Sequence, residues 1–263
     1  METFYENYFK PQDVVPDSRL FSPEHIILSS LAVMVIHYIY KIQMERCDGN
    51  FSIKILKKSS ILMIFLEIFR IGWLTFYNGF NLKNIRFDWC NQISLVLPFI
   101  VLSGKKKLYP YIDILSFMGG AGVILYPIWV FYDYAGIHIM SVQSMVSHTL
   151  MVILAITMSF VSDHWEHEQD IKKPFTGFAV IAVVAFVMSR VLNTNYLIML
   201  NANGIPLLRH FSFPWYWIVA LPLLAIFINM VRLSFTEIRN RINNKKSDTP
   251  EYLETDDGVE SLI

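Results

Sequence analysis

Two side chains that could perform nucleophilic chemistry, Cys90 and His148, lie far apart in the sequence, each within an apolar segment. A thiol beside an imidazole can lose its proton and attack an acyl carbonyl. Ionisable side chains at membrane depth are costly and usually functional, although a buried cysteine is commonly inert packing. The pair therefore indicates acyl-transfer chemistry only if the fold brings the two residues together.

The two side chains are predicted to lie at similar depths in a membrane. Lys105 marks the predicted inner interface, and the helix that precedes it rises by about 1.5 Å per residue, which puts Cys90 roughly 22 Å above that interface. In a hydrocarbon core of about 30 Å, Cys90 then lies about 8 Å below the outer surface. The same rise puts His148 about 14 Å down its own segment. The side chains would meet if the third and fifth apolar segments were neighbours.

A second set of polar side chains occupies the same segments. Glu67 and Arg70 are three residues apart on one predicted helix, so they share a helical face. They could form an internal ion pair that orients this helix, or they could line a polar cavity. The set gathers toward the predicted outer half, and its other members include Asn91, Arg190, Asn193 and Asn195.

Three further polar residues have structural interpretations. Asp113 lies one turn from a predicted cytoplasmic end, so we expect it to pair with the lysines at 105–107. His37 is expected to be packed and hydrogen-bonded. Cys47 lies in a predicted cytoplasmic loop, across the membrane from Cys90, so these two cysteines cannot form a disulfide.

Signals for metals and cofactors are weak. His164 and His167 have a spacing that would place two metal ligands on one helical turn. A solvated loop is the favoured interpretation of this segment, so no metal site is expected. The sequence has no nucleotide-binding loop and no haem signature, so no cofactor is expected either.

The composition identifies the elements that must position these residues. Of 263 residues, 54% are hydrophobic and 17% are charged, against roughly 25% charged in an average soluble domain. Mean hydropathy is +0.41. These values exclude an ordinary soluble domain and a disordered chain, and two cysteines are too few for a disulfide scaffold. Twenty-two basic residues balance 22 acidic ones, so no global field points to nucleic acid as a partner.

Seven apolar segments approach the roughly 20 residues that a membrane-spanning helix needs. Their runs are continuous, so helices are favoured over a β-barrel. The sequence therefore predicts an all-α, polytopic seven-helix bundle, whose third span is the weakest. The segments are 24–43, 59–78, 88–103, 109–131, 139–162, 174–198 and 213–236.

Lys and Arg are concentrated on the flanks that follow the first, third, fifth and seventh segments. Such flanks are typically cytoplasmic, so the N-terminus is predicted outside and the C-terminus inside. Residues 1–23 form an extracellular or interfacial lead-in without a signal-peptide pattern, with a helix start predicted at Ser22. Residues 24–236 form the transmembrane domain, and 237–263 a flexible cytoplasmic tail.

Two other function classes remain open at this stage. The polar residues could line the cavity of a transporter or a ligand-binding membrane protein, although no internal repeat supports an inverted-repeat transporter. The chain could also be a non-catalytic scaffold in a membrane complex.

Six short motifs occur in order along the chain. They are the acidic second helix around Glu67, Cys90 at the start of the third segment, the glycine-rich run 117–122, Ser147-His148, the Asn-Tyr segment 192–197, and the Pro-Trp-Tyr start of the seventh segment at 213–217. Together they resemble the YwaF-type integral membrane proteins of bacteria, which are related to the vertebrate transmembrane protein 164 acyltransferases. Asp88 and Asn91 depart from the His and Asp that many bacterial relatives have at these positions.

The resemblance implies a phospholipid acyltransferase of the cell membrane. Its substrates would be phospholipids and lysophospholipids, and the acyl chain would pass through an acyl-cysteine. Cys90 would be the nucleophile and His148 the general base and acid, while Asn195 or Glu67 would orient His148 or stabilise the oxyanion. Further orienting or substrate-binding roles would fall to Arg70, Asn91, Arg190, Asn193 and Tyr196.

Overall fold

The computed structural model describes residues 22–126, 137–161, 172–200 and 214–248. These residues form α-helices joined by loops and short 3₁₀ turns, without a strand in the described part, so the predicted all-α class is confirmed. The helices are α1 (Pro23–Arg46), α2 (Gly49–Asn78), α3 (Trp89–Leu102), α4 (Asp113–Leu125), α5 (Ile139–Val161), α6 (Lys172–Leu192) and α7 (Tyr216–Asp248). The 3₁₀ turns are Leu82–Asn84, Lys106–Tyr111 and Tyr196–Ile198.

Five of these helices, α1, α2, α5, α6 and α7, are long and apolar enough to cross a membrane. The chain is therefore a multi-pass membrane protein. The apolar helices α3 and α4 have 14 and 13 residues, which makes each about 20 Å long, shorter than a hydrocarbon core of about 30 Å. The predicted fourth span starts late because the basic, proline-containing segment before it forms a 3₁₀ turn.

The first two helices are joined by a short link. Ser22 accepts a hydrogen bond from the His25 amide at 3.3 Å, and Pro23 occupies the first turn, which is a favourable helix start. Cys47 ends α1 in a left-handed conformation, and Asp48 then accepts the Asn50 amide at 2.8 Å and begins α2. This short link connects α1 directly to α2, and both helices pack against α5.

Helix α5 is the centre of the bundle. Of its most apolar stretch, 83% is buried, against 11–28% for the other four long helices. It packs mainly against α1, α2 and α4. The outer helices expose large apolar side chains such as Phe65 and Val183, as expected for surfaces in contact with lipid.

Glycines allow two close helix crossings. A Cβ atom at Gly177 of α6 would lie 1.9 Å from the carbonyl oxygen of Tyr111, so α6 touches the backbone of the 3₁₀ turn. Gly120 of α4 approaches the backbone of α5, where a Cβ atom would lie 2.6 Å from the carbonyl oxygen of His148. Only glycine fits either position without movement of a backbone.

Two polar residues outside the cavity, Asp113 and His37, differ from their predicted arrangement. Asp113 is fully buried and faces Arg239 of α7, with 3.6 Å between the carboxylate oxygen and the guanidinium nitrogen. Its partner is thus not a lysine of the 105–107 segment, because α7 remains helical past residue 236 and brings Arg239 inward. His37, predicted to be packed, is exposed on the outward face of α1.

Candidate functional site

A small cavity lies between α2, α3 and α5, and we refer to it as the Cys–His cavity. Its volume is about 30 Å³, enough to hold a water molecule. Nearly all of its lining side chains are polar, which is unusual in so apolar a bundle. The lining residues are Glu67, Arg70, Cys90, Asn91, Ser94, Gln143, Ser144, Ser147, His148 and Met151.

Cys90 is the second residue of α3. The first turn of a helix carries partial positive charge, which favours an anionic sulfur there. Trp89 fixes this turn, because its indole N–H donates to the carbonyl of Leu115 on α4 at 3.1 Å. The half-buried thiol donates to the carbonyl of Gly119 at 3.6 Å. The sulfur is therefore held against α4 at the edge of the cavity.

Two adjacent glycines of α4, Gly119 and Gly120, lie between the Cys90 thiol and the backbone of α5, the helix that carries His148. A Cβ atom at Gly119 would lie 3.2 Å from the sulfur of Cys90, while one at Gly120 would meet the backbone of His148. Ser116, one turn earlier, donates to the carbonyl of Met151 on α5 at 3.0 Å. The glycine-rich run thus lets α3 and α5 approach from the two sides of α4.

The imidazole of His148 is held in one tautomer. Its Nδ1 lies 2.7 Å from the carbonyl oxygen of Ser144, which can only accept, so Nδ1 carries the proton. In the neutral ring Nε2 then holds a lone pair. This nitrogen is buried and has no hydrogen-bond partner among the residues that the structure describes. His148 is therefore oriented as a proton acceptor.

Glu67 and Arg70 are both buried and form an ion pair on the cavity wall. The Nε group of Arg70 donates to both carboxylate oxygens at 3.2 Å. Its Nη1 donates to the carbonyl of Asn84 at 3.1 Å, which ties the loop before α3 to α2. The two interpretations of this pair left open by the sequence are thus compatible, since an orienting ion pair also lines the cavity.

The comparisons with known proteins identify the family. The model of the TMEM164 family matches residues 20–231, which span α1 through about the first half of α7 and include every lining residue of the cavity. The chain belongs to the TMEM164 family. No curated protein and no solved structure matches it.

Four predicted site residues of this TMEM164-family chain lie outside the cavity wall. Arg190 is exposed at the end of α6, 5.4 Å from the ring of Phe186. Asn193 and Asn195 are also exposed, and the side-chain oxygen of Asn195 accepts the Leu200 amide at 2.8 Å.

Tyr196, the fourth, is buried in the segment that follows α6, with its ring 5.7 Å from that of Phe87. The next residue, Leu197, donates its amide to Asp88 at 3.2 Å. This segment therefore lies beside the residues that precede Cys90 at the start of α3, but it does not contribute to the cavity wall.

Three polar lining residues of the TMEM164-family cavity were not singled out from the sequence, namely Ser94, Gln143 and Ser144, and Ser147 was named only as part of a motif and without a role. A signal for them exists, because residues 144, 147, 148 and 151 follow the spacing of one helical face, and Ser94 lies one turn after Cys90. The segment that contains His164 and His167 lies outside the described residues. Within the described part, no group of three or more His, Cys, Asp or Glu side chains could hold a metal ion.

Proposed function

We propose that this TMEM164-family protein is a membrane-embedded acyltransferase that moves fatty acyl chains between phospholipids and lysophospholipids through an acyl group on Cys90. One observation carries the proposal. A thiol in the first turn of α3 and an imidazole whose Nε2 lone pair has no partner among the described residues line the same polar cavity. Activated cysteine nucleophiles combine a thiol with a basic side chain, and here both groups line one cavity, while the thiol donates to Gly119 and not to His148 in the described structure.

The reaction would proceed in two transfers. In the first, Nε2 of His148 takes the proton of Cys90, the sulfur attacks the ester carbonyl, and the carbon–oxygen bond to the lysophospholipid breaks. The leaving oxygen takes the proton from His148. In the second, His148 takes the proton of a hydroxyl on another lysophospholipid, the oxygen attacks the thioester, and the carbon–sulfur bond breaks. The released sulfur of Cys90 takes the proton back from His148. No cofactor is needed, because the ester and the acceptor hydroxyl supply all the bonds.

Two neighbouring groups support this role of His148. The Ser144 carbonyl fixes the tautomer, in the position where catalytic triads use a carboxylate. The Glu67 carboxylate lines the same cavity, and negative charge nearby favours the imidazolium that forms when His148 accepts a proton. Arg70 holds this carboxylate in place.

The remaining predicted residues are proposed to contact lipid at the cavity rim. Asn91 lines the cavity beside Cys90. Arg190 is an exposed cation at the end of α6 and would bind a lipid phosphate, and the exposed Asn193 and Asn195 follow it in the chain. Tyr196 is buried and would instead hold this segment against Phe87, just before α3. The cavity is smaller than an acyl chain, so the chain would lie along the exposed apolar helix faces.

The same proposal includes a membrane arrangement. All seven helices would cross the cell membrane, with the N-terminus outside and the C-terminus inside. The alternation of Lys- and Arg-rich flanks with poor ones supports this orientation. The short helices α3 and α4 are packed against longer neighbours, so loop backbone at membrane depth would be covered by protein.

The decisive experiment compares the two free cysteines. The full chain, reconstituted in vesicles with acyl-labelled phosphatidylcholine and a mixture of lysophospholipids, should produce labelled new phospholipids and a hydroxylamine-sensitive label on the protein. Cys90→Ala and Cys90→Ser should abolish both signals, whereas Cys47→Ala should retain them. Unchanged lysophospholipid conversion by Cys90→Ala would refute the proposal.

A further inference from the structure

The proposed acyl transfer requires a hydrogen-bond donor that Glu67 and Asn195, the two residues predicted to stabilise the oxyanion, do not supply. When the sulfur attacks an ester, the carbonyl oxygen becomes an oxyanion that needs a positioned donor. Glu67 is an acceptor when ionised, and Asn195 lies outside the cavity wall. Removal of such a donor typically lowers an enzyme's rate by about 100-fold or more. The donor must therefore come from another residue of the cavity wall.

The orientation of Gln143 determines what its neighbour Ser147 can do. The Gln143 side-chain nitrogen lies 3.2 Å from the carbonyl oxygen of Leu66 on α2. A carbonyl only accepts, so this nitrogen is the amide NH₂ and the assignment of the two amide atoms is fixed. The same nitrogen lies 3.1 Å from the hydroxyl oxygen of Ser147. Gln143 must donate in this contact, and Ser147 must accept.

A hydroxyl that accepts a hydrogen bond keeps its own proton for another partner. The described residues give the Ser147 hydroxyl no second hydrogen bond, and Ser147 lines the Cys–His cavity beside His148. Its side chain is buried, with 6% of the residue exposed. Donation by the Gln143 amide also polarises the hydroxyl and strengthens it as a donor. The remaining Ser147 proton is thus available to a group that enters the cavity.

We infer that the Ser147 hydroxyl, oriented by the Gln143 amide, is the oxyanion donor for acyl transfer at Cys90. This inference rests on the proposed function. As the sulfur–carbon bond forms, the carbonyl π electrons move to oxygen, and that oxygen accepts the Ser147 proton in a hydrogen bond. The proton stays on Ser147, and the electrons return when the ester carbon–oxygen bond breaks. Ser147 is a catalytic residue in this scheme, and Gln143 is a positioning residue.

The test separates oxyanion chemistry from thiol chemistry in the full chain. Alkylation of Cys90 by iodoacetamide uses the same thiol but forms no oxyanion, whereas transfer from acyl-labelled phosphatidylcholine forms one. Both are measured with Cys47→Ala as the background, so that Cys90 alone reacts. Ser147→Ala is expected to lower transfer by about 100-fold while the alkylation rate stays within about twofold.

Ser159→Ala is the matched control. Ser159 lies on the same helix with the same 6% exposure but does not line the cavity, so both rates should be unchanged. Gln143→Glu is the second variant. A carboxylate in this position accepts a hydrogen bond from the Ser147 hydroxyl, which is then no longer available to donate to the oxyanion. Transfer should therefore fall although the Ser147 hydroxyl is still present.

Two results would overturn the inference alone. One is transfer by Ser147→Ala that stays within about threefold of the background protein, against the loss of about 100-fold expected for a missing donor, while Cys90→Ala is inactive. The other is a parallel fall of alkylation and transfer in Ser147→Ala, which would show that Ser147 acts on the thiol. Transfer that survives Cys90→Ala would instead overturn the proposed function, and this inference with it.

Discussion

Two buried ion pairs of this protein are constructed in different ways. Glu67 and Arg70 lie three residues apart on α2 and border the Cys–His cavity. Asp113 and Arg239 join α4 to α7 and are not among the residues that line the cavity. Charge burial is costly in both places, but only the second pair fixes two helices that are far apart in the chain. We therefore interpret the Asp113–Arg239 pair as a structural clamp and the Glu67–Arg70 pair as part of the reactive site.

This difference extends to the surroundings of each pair. Around Glu67 the neighbouring side chains are polar. One of them, His148, has a ring nitrogen without a hydrogen-bond partner among the described residues. Around Asp113 the neighbours are core side chains such as Ile114 and Phe235. If the interpretation is correct, substitutions around the Glu67–Arg70 pair change the reaction more than stability. Substitutions at the Asp113–Arg239 pair do the opposite.

The largest effect is expected from His148→Gln. This substitution keeps a side-chain N–H that could donate to the Ser144 carbonyl but removes the basic nitrogen. Loss of a general base typically costs 10²- to 10⁴-fold, so we expect acyl transfer to fall by about 1000-fold, measured in vesicles with labelled phosphatidylcholine. The control is His37→Gln, because His37 is exposed on α1. Retention of a tenth or more of the activity by His148→Gln would remove the base from the mechanism.

Substitution at the Asp113–Arg239 pair should lower the stability of the protein. Arg239→Ala leaves the fully buried Asp113 carboxylate without its cation, which typically costs about 3 kcal/mol or more in the free energy of unfolding. Unfolding in a denaturing detergent, monitored by tryptophan fluorescence, measures this loss, and transfer per folded molecule should not change.

A double variant sharpens this second test. Asp113→Asn together with Arg239→Met removes both charges, and replacement of a whole buried pair is often nearly neutral. Most of the lost stability should therefore return. If the double variant is as unstable as Arg239→Ala, the pair itself is not the source of the stabilisation.

Much of the bundle was predictable because long apolar runs define helices. The predicted helix start at Ser22 agrees with the structure. A helix overlaps each predicted segment, but the fourth starts later than predicted and five of the described helices are long and apolar enough to cross a membrane. The partner of Asp113 was not predictable in this way. Nearby lysines were the local choice, whereas the actual partner depends on how far α7 continues and which face it turns inward. Hydrophobic periodicity gives the face of a helix but not the helix that it meets.

The candidate site was predictable only in part for the same reason. Cys90 and His148 could be selected by residue type, and their similar depths followed from helix geometry. The His148 tautomer depends on one carbonyl of the preceding turn, and the donor role of Ser147 depends on a contact between Gln143 and α2. Arg190 and Asn195 were selected by type as well, yet the fold turns both away from the cavity wall.

Adjacent glycines of α4 offer a third test of the two kinds of effect. A methyl group at Gly120 would lie 2.6 Å from the backbone oxygen of His148, and overpacking of this kind typically costs about 2 kcal/mol. At Gly119 the methyl group meets the ends of Cys90 and Met151 at 3.2 Å, which are side chains that can move. Gly120→Ala should thus lower stability in the same unfolding assay, and Gly119→Ala should mainly lower transfer by displacing the thiol. Equal stability of the two variants would contradict this assignment.

The smallest effect is expected from Glu67→Gln, which directly compares the two carboxylates. The amide is nearly the same size and keeps an oxygen that accepts from Arg70, but it leaves the buried Arg70 cation without its carboxylate, so transfer is compared per folded molecule. It lacks the negative charge that favours the imidazolium of His148. A loss of about 1.4 kcal/mol of such stabilisation lowers the rate by about tenfold. Asp113→Asn should leave transfer per folded molecule unchanged, since that carboxylate faces Arg239 and not the cavity. If Asp113→Asn lowers transfer as much as Glu67→Gln does, the electrostatic influence on the reaction comes from the bundle as a whole, and the Glu67–Arg70 pair has no special part in it.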